Sequence, residues 1–233
     1  MATTSDRDDP TPAEPWPHLA AWPQPVVGAI LCGGRSSRFG SDKALAPFGS
    51  STVGGRIVSA MRDAGIDPVV AIGGQAGDQL GVPTVPDRRP GDGPLGGLAT
   101  ALLWASTGWV LIAPCDLPLL AAEHVAMLLD GGAPDHRPMA DADPGDSGGP
   151  GNPGEPGSDL GPVVATVGGK PHLSLSIWPA SDGRRLLRLL DGGERRFRRA
   201  LDGRAWRGVE LPEVALTDAD TPAELERLEK GTE

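Results

Sequence analysis

Two cysteines, Cys32 and Cys115, are all that 233 residues contain, so no disulfide framework holds this chain, and their separation fits no metal-ligand pattern. Both read as buried, inert thiols suited to a reducing cytoplasm. Long apolar runs are also missing: none approaches the roughly 20 residues needed to cross a bilayer. Positive charge is scarce, with 21 Lys and Arg against 31 Asp and Glu and a net charge of −10. A field of that sign repels polyanions, which argues against nucleic acid or a membrane surface as a partner. No Gly-Lys-Ser/Thr follows Gly34 or Gly40, so the P-loop of many nucleotide hydrolases is absent. No Ser-His or Cys-His arrangement points to a covalent nucleophile.

What the chain does have is an alternation of short apolar segments. Val26–Leu31, Pro68–Ile72, Val82–Val85 and Trp109–Ala113 are apolar and β-branched, as buried parallel strands are. Val53–Ala64 sets Val53, Ile57, Val58 and Met61 on one helical face, and Leu95–Ser106 does the same with Leu95, Leu98, Leu102 and Leu103. Strand, helix, strand implies right-handed crossovers and a mainly parallel α/β sheet with helices on both faces. Pro162–Val167 and Leu173–Trp178 flank Gly168-Gly169-Lys170-Pro171, which predicts an antiparallel hairpin added to that sheet. Leu186–Arg199 reads as one or two basic helices. Thr221-Pro222-Ala223-Glu224 is a capping box that starts a last helix near Pro222.

Two segments fall outside this pattern. Residues 1–25 are rich in proline and acids and lack the basic start and apolar core of a signal peptide, so they read as a disordered tail. In Asp135–Asp159, eleven of 25 residues are Gly or Pro and six are acidic against one arginine, a composition that cannot bury enough apolar surface to fold. It reads as a surface insertion, and the stretch C-terminal to it is too poor in apolar residues for a second core. We expect a single domain over residues 26–230, for which 39% hydrophobic content is enough.

Three motifs carry chemistry. In Val26–Lys43 a buried strand delivers Gly33 and Gly34 to its end, where backbone N–H groups can approach an anion, and Arg35, Arg38 and Lys43 supply positive charge. From Gly33 to Lys43 three cations stand against Asp42, a local charge opposed to that of the whole chain. The reading is a nucleoside triphosphate loop; the plain alternative is a strand-to-helix turn. The second motif is Val110–Pro118, where a strand ends in Asp116, a hard oxygen ligand suited to Mg²⁺; the alternative is a cap for a helix beginning near Leu120. The third is Val85–Leu98, a Gly- and Pro-fixed turn that could cradle a base or phosphate. Its literal G-x-G-x-x-G, Gly91 to Gly96, is not a dinucleotide fingerprint, because Pro86, Arg89 and Pro90 interrupt the strand that must run into the first glycine. Arg184–Arg207 adds nine arginines against three acids; it is a solvated helix face or a dock for an anionic acceptor. His18, His124, His136 and His172 are scattered, and only His172, beside the hairpin turn, could approach an acceptor.

In order and spacing these motifs resemble the molybdenum cofactor guanylyltransferases (MobA-like family), a branch of the nucleotidyltransferases with a Rossmann-like fold. Leu31-Cys32-Gly33-Gly34, Arg38-Phe39-Gly40 and Asp42-Lys43 are similar to the family's L-A-G-G, R-M-G and D-K signature. Asp87 with Pro90–Gly97 is similar to D…P-G-x-G-P-L-A-G, and Pro114–Pro118 to P-C-D-M-P. The likeness is good over residues 26–129 and weaker beyond, where Gly192–Arg199 and Asp218–Leu225 are similar to G-E-R-R and N-x-N-T-P-E-D-L. The resemblance implies that Leu31, Cys32, Gly33, Gly34, Lys43 and Asp87 hold GTP, that Arg38 and Lys43 act on the phosphates, and that Asp116 binds Mg²⁺. Asp220 is then a second metal carboxylate or only the approach to the Thr221 cap. It further implies a cytoplasmic enzyme that joins GMP to molybdopterin phosphate and serves molybdoenzyme-maturation proteins. Asp218-Ala219-Asp220 departs from the asparagines frequent in the guanylyl branch toward the aspartates of the cytidylyl branch, so CTP stays open as the donor. Also open are transfer to another phosphorylated acceptor and a nucleotide-binding adaptor without turnover.

Overall fold

The computed structural model describes residues 17–23, 25–33, 42–133 and 161–231. Gly34, Arg35, Arg38 and the expected insertion at Asp135–Asp159 lie outside them, as do residues 1–16. The strands are β1 Val26–Leu31, β2 Pro47–Phe48, β3 Ser51–Thr52, β4 Val69–Ile72, β5 Thr84–Val85, β6 Trp109–Pro114, β7 Val163–Val167, β8 Lys170–Pro179 and β9 Arg207–Glu210. The helices are α1 Pro17–Ala20, α2 Val53–Asp63, α3 Gly77–Leu80, α4 Gly93–Ala105, α5 Ala122–Gly132, α6 Gly183–Asp191 and α7 Pro222–Lys230, with short 3₁₀ turns that include Lys43–Leu45 and Phe197–Leu201. Seven strands form one sheet in the order β5-β4-β1-β6-β8-β7-β9, and β2 and β3 make a separate small hairpin. The pairs β5/β4, β4/β1 and β1/β6 are parallel; β8 enters antiparallel to β6 and to β7, and β9 lies parallel to β7. The expected parallel sheet with an antiparallel addition is therefore present.

The period-2 alternation of β1 puts Ile30 in one apolar layer and Ala29 and Leu31 in the other. The first layer is closed by Val53, Ile57, Val58 and Met61 of α2, by Val125, Leu128 and Leu129 of α5, and by Leu225 of α7. The second is closed by Leu95, Leu98 and Leu102 of α4 and by Leu186 and Leu190 of α6. Truncating any of these to alanine is expected to cost roughly 2–5 kcal/mol. Trp178, fully buried on β8, satisfies its indole N–H on Ser176 Oγ at 2.7 Å. The β7–β8 connection is the expected two-glycine turn: Gly168 and Gly169 have φ of +56° and +74°, which side chains other than glycine's resist.

Three expectations are corrected. The proline-rich start is not a tail as far as residue 25: Pro17–Ala20 is helical, and Trp22 is buried, donating to Leu129 O at 3.3 Å and meeting Trp109 edge-on at 4.9 Å. An apolar anchor inside a polar segment outweighs its average composition. The helix expected near Leu120 begins at Ala122, and its first turn is closed by the His124 ring accepting from Ala121 N–H at 3.1 Å. Asp116 is therefore not its cap. Strand β5 is only Thr84–Val85, because the prolines at 83 and 86 bracket it. Among the described residues no helix is long and apolar enough to cross a membrane.

Candidate active site

In an open parallel sheet ligands bind beyond the carboxyl ends of the strands, near a reversal of strand order. Here β1 ends at Leu31-Cys32-Gly33, β4 at Ile72-Gly73, β5 just before Asp87, and β6 just before Asp116, all on one edge. The Lys43 side chain reaches this edge from the 3₁₀ turn Lys43–Leu45, which Asp42 caps by accepting from Ala44 N–H at 3.1 Å. The ammonium of Lys43 donates to Asp116 Oδ2 at 3.2 Å and to Asp220 Oδ1 at 2.8 Å. Burial, the largest single influence, pulls the Lys43 pKa down, but the Asp220 hydrogen bond and the Asp116 charge outweigh it and hold the amine above its ordinary value. Lys43 is thus a firm cation between two acids that lie 104 residues apart in the chain.

Each acid is fixed by backbone. Asp116 O accepts from Ala219 N–H at 3.1 Å, which pins the segment bearing Asp220 against the β6 turn. Asp220 and Thr221 both donate their N–H groups to Glu224 Oε2, at 2.7 and 2.9 Å, and Thr221 Oγ1 accepts from Glu224 N–H at 3.3 Å. The capping box thus also places Asp220. Behind Asp116, Arg56 of α2 donates to Pro118 O at 3.0 Å with its guanidinium 5.2 Å from the Phe48 ring. Among the described residues no three His, Cys, Asp or Glu converge as a ready metal cage. The Asp116–Asp220 pair nevertheless suits Mg²⁺, which typically takes one or two carboxylates and fills its remaining positions with water and substrate phosphate. Both carboxylates retain exposure, 30% and 55% of their side-chain surface.

On the other side of β1, Cys32 N–H donates to Ile72 O at 3.0 Å and Gly73 N–H to Val85 O at 2.9 Å, which draws the strand ends together. The Leu31 side chain packs against Gly97 and Cys32 is 7% exposed, so neither side chain faces an anion. Gly33 is exposed, and a Cβ placed on it would lie 3.8 Å from Asp87 Oδ2. Asp87 and Gly33 therefore share the rim. Burial, foremost, pushes the Cys115 thiol up to about 12 and the Cys32 thiol higher still, as expected of inert cysteines.

With this geometry in place, comparison with known proteins is informative. Residues 28–205 match the family model described as the MobA-like NTP transferase domain. The chain belongs to this family. It is 41% identical over 100 residues to a probable molybdenum cofactor guanylyltransferase of Carboxydothermus hydrogenoformans, covering 43% of this chain and 51% of that protein. The chain spans about half the length of the curated relatives it matches. Its fold is that of the molybdopterin-guanine dinucleotide biosynthesis protein A of Archaeoglobus fulgidus, with TM-score 0.63, 16% identity, and 88% and 97% of the two chains covered. It is also that of a Mycobacterium tuberculosis protein solved in complex with manganese, with TM-score 0.56, 19% identity, and 89% and 98% covered.

In this MobA-like domain the arginine-rich segment is largely committed to internal pairing. Arg195 meets Asp92 Oδ1 at 2.6 Å, and Arg89 meets Asp92 at 2.9 Å and Asp191 at 2.7 Å, which fastens the Gly- and Pro-rich turn to the end of α6. Arg196 and Arg199 pair with Glu194, and Arg185 and Arg204 flank the buried Asp182. Arg184, Arg188 and Arg198 are exposed. His172 pairs with Ala165 in the β7–β8 ladder at the same sheet edge. Residues the motif reading passed over are Thr100 and Arg56; Glu224 belongs to the expected capping box, but the motif does not reveal that it also holds the Asp220 backbone. Thr100 could have been noticed as the one polar side chain in the apolar run Leu95–Trp104; Arg56 acts through a backbone carbonyl and leaves no pattern.

Proposed function

We propose that this chain is a nucleotidyltransferase that moves GMP from GTP to the phosphate of molybdenum-loaded molybdopterin, releasing pyrophosphate. The observation that carries the reading is Lys43, held jointly by Asp116 and Asp220 at the sheet edge where β1 ends, in a MobA-like domain. In the reaction an oxygen of the acceptor phosphate forms a bond to the α-phosphorus while the bond to the β-phosphate oxygen breaks. A phosphate monoester is largely dianionic at neutral pH, with a second pKa of about 6, so the chain needs no general base. Its work is positioning and charge neutralisation. Gly33 offers a side-chain-free approach to the phosphates, Lys43 balances charge on the triphosphate, and Asp87 holds the nucleoside end. Asp116 and Asp220 would hold a divalent ion, Mg²⁺ in this reading, which supplies further neutralisation of the phosphate oxygens when bound.

The test is pyrophosphate release and dinucleotide formation by the full chain with GTP, Mg²⁺ and molybdenum-loaded molybdopterin. Asp116→Asn should lower turnover by at least about a hundredfold while sparing GTP affinity more. The aspartates at 218 and 220 support a second reading with CTP as donor, and a parallel CTP assay separates the two. Nucleotide binding with no pyrophosphate from either donor would instead leave an adaptor.

A further inference from the structure

Thr100 is 1% exposed within α4, among Leu95, Leu98, Ala99, Ala101 and Leu102, all at 0%. A threonine buried in a helix ordinarily returns its hydroxyl to a carbonyl of the preceding turn. This one leaves the helix. Its Oγ1 donates to Asp87 Oδ1 at 2.9 Å and accepts from Arg88 N–H at 3.1 Å, and Arg89 N–H also donates to Asp87 Oδ1 at 2.9 Å. Two donors fill the two lone-pair sites of Oδ1. Oδ2 has no hydrogen-bond partner among the described residues and faces the Gly33 rim.

We propose that Thr100 is a positioning residue for the nucleotide site: it locks the Asp87 carboxylate so that Oδ2 is presented as an acceptor to one N–H or O–H donor of the nucleoside. The inference rests on the proposed function, in which this edge takes a nucleoside triphosphate. A carboxylate free to rotate about χ2 would exchange its two oxygens and lose ordering free energy on each binding event. With Oδ1 committed to a buried hydroxyl and a backbone amide, that cost is met during folding. The donor is a ribose hydroxyl or an N–H of the base edge, and both share the required chemistry.

Calorimetric titration of GTP into the full chain tests this with Thr100→Val, Thr100→Ser, Asp87→Ala and the double variant. Thr100→Val should weaken GTP by roughly tenfold to a hundredfold, the range of a hydrogen bond to a charged group, and Thr100→Ser should restore affinity to within about twofold. In the Asp87→Ala background Thr100→Val should change nothing further, because the two act as one unit. Should Thr100→Val weaken GTP equally in both backgrounds, Thr100 is merely structural and the proposal fails. Thermal melts accompany each variant, and Thr100→Ala carries the same cycle if the valine variant does not fold. Titrations with 2′-deoxy-GTP, 3′-deoxy-GTP, ITP, which lacks the exocyclic amine, and 1-methyl-GTP, which lacks the ring N–H, identify the donor as the group whose removal makes wild type and Asp87→Ala bind alike. If all four analogues stay sensitive to Asp87, the donor assignment is overturned. Failure of the wild-type chain to bind GTP or CTP overturns the nucleotide reading itself, whereas binding that Asp87→Ala weakens and Thr100→Val does not overturns only the role of Thr100.

Discussion

Lys43 shows at the scale of one residue how the site solves a charge problem. Asp116 and Asp220 each bond the same ammonium, so their oxygens are neighbours, and like charges at such range repel by a few kcal/mol at the effective dielectric of a protein surface. The lysine offsets that repulsion, and a divalent ion held by these two carboxylates would have to displace it, since both draw on the same oxygens. Lys43→Met keeps most of the stem and removes the charge. Stability should fall by about 1 kcal/mol, discounted for the exposure of both acids, and GTP affinity should fall as well. The affinity for Mn²⁺ in the absence of nucleotide should rise by about tenfold, read by electron paramagnetic resonance of free Mn²⁺. Weaker Mn²⁺ binding in the variant would mean that the lysine does not compete for the carboxylates. At this scale the sequence was informative about types: Lys43, Asp87 and Asp116 stand where their motifs predict. The Lys43–Asp220 bond, spanning 177 residues, had no local signal, and Asp220 alone was equally readable as part of a cap.

Among the elements, those marked by an apolar face or a continuous apolar run were legible: α2 by its face, and β1, β4, β6 and α4 by their runs, lie within a residue or two of their expected bounds, because buried segments select apolar residues between turn signals. The hairpin was legible through its two glycines and α7 through its capping box. Docking between elements was not, because it depends on what is missing from a side chain. At Gly54 of α2, an added Cβ would lie 2.8 Å from Ala44 O and 3.1 Å from Ala44 Cβ. That gap seats the Lys43–Leu45 turn against the helix, and the blocking atom is a backbone oxygen that cannot swing aside. Gly54→Ala, otherwise favourable to a helix, is therefore expected to destabilise the chain by about 1–3 kcal/mol. It should also weaken GTP binding beyond what the fraction unfolded explains, as it displaces the turn that carries Lys43. Chemical denaturation and calorimetry on the same variant check both. A variant as stable as wild type would show that the turn moves at no cost.

For the whole molecule, net charge of −10 favours mild acid, which relieves self-repulsion, while particular carboxylates oppose strong acid. Hydrogen bonds from Arg196 draw Glu194 down to about 2, the Arg89 hydrogen bond foremost lowers Asp92, the Thr166 hydroxyl foremost lowers Glu210, and the backbone N–H of Asp220 foremost lowers Glu224. Three of these ties are local and brace the segment after α6, the Gly- and Pro-rich turn and the approach to α7, whereas Thr166 with Glu210 links β7 to β9 across 44 residues. A carboxylate whose pKa is lower folded than unfolded stabilises the fold fully above its unfolded value and loses that contribution as pH falls through the folded one. For Glu194 the window runs from the ordinary 4.5 down to about 2. The melting temperature should therefore hold or rise slightly from pH 7 to 5 and decline through that window. Glu194→Gln should melt lower than wild type at pH 7, decline less steeply below pH 4.5, and meet the wild-type curve near pH 2. Raising ionic strength at pH 7 should narrow the difference, since these pairs are exposed to solvent. Parallel curves across the whole range would show that Glu194 carries no structural charge.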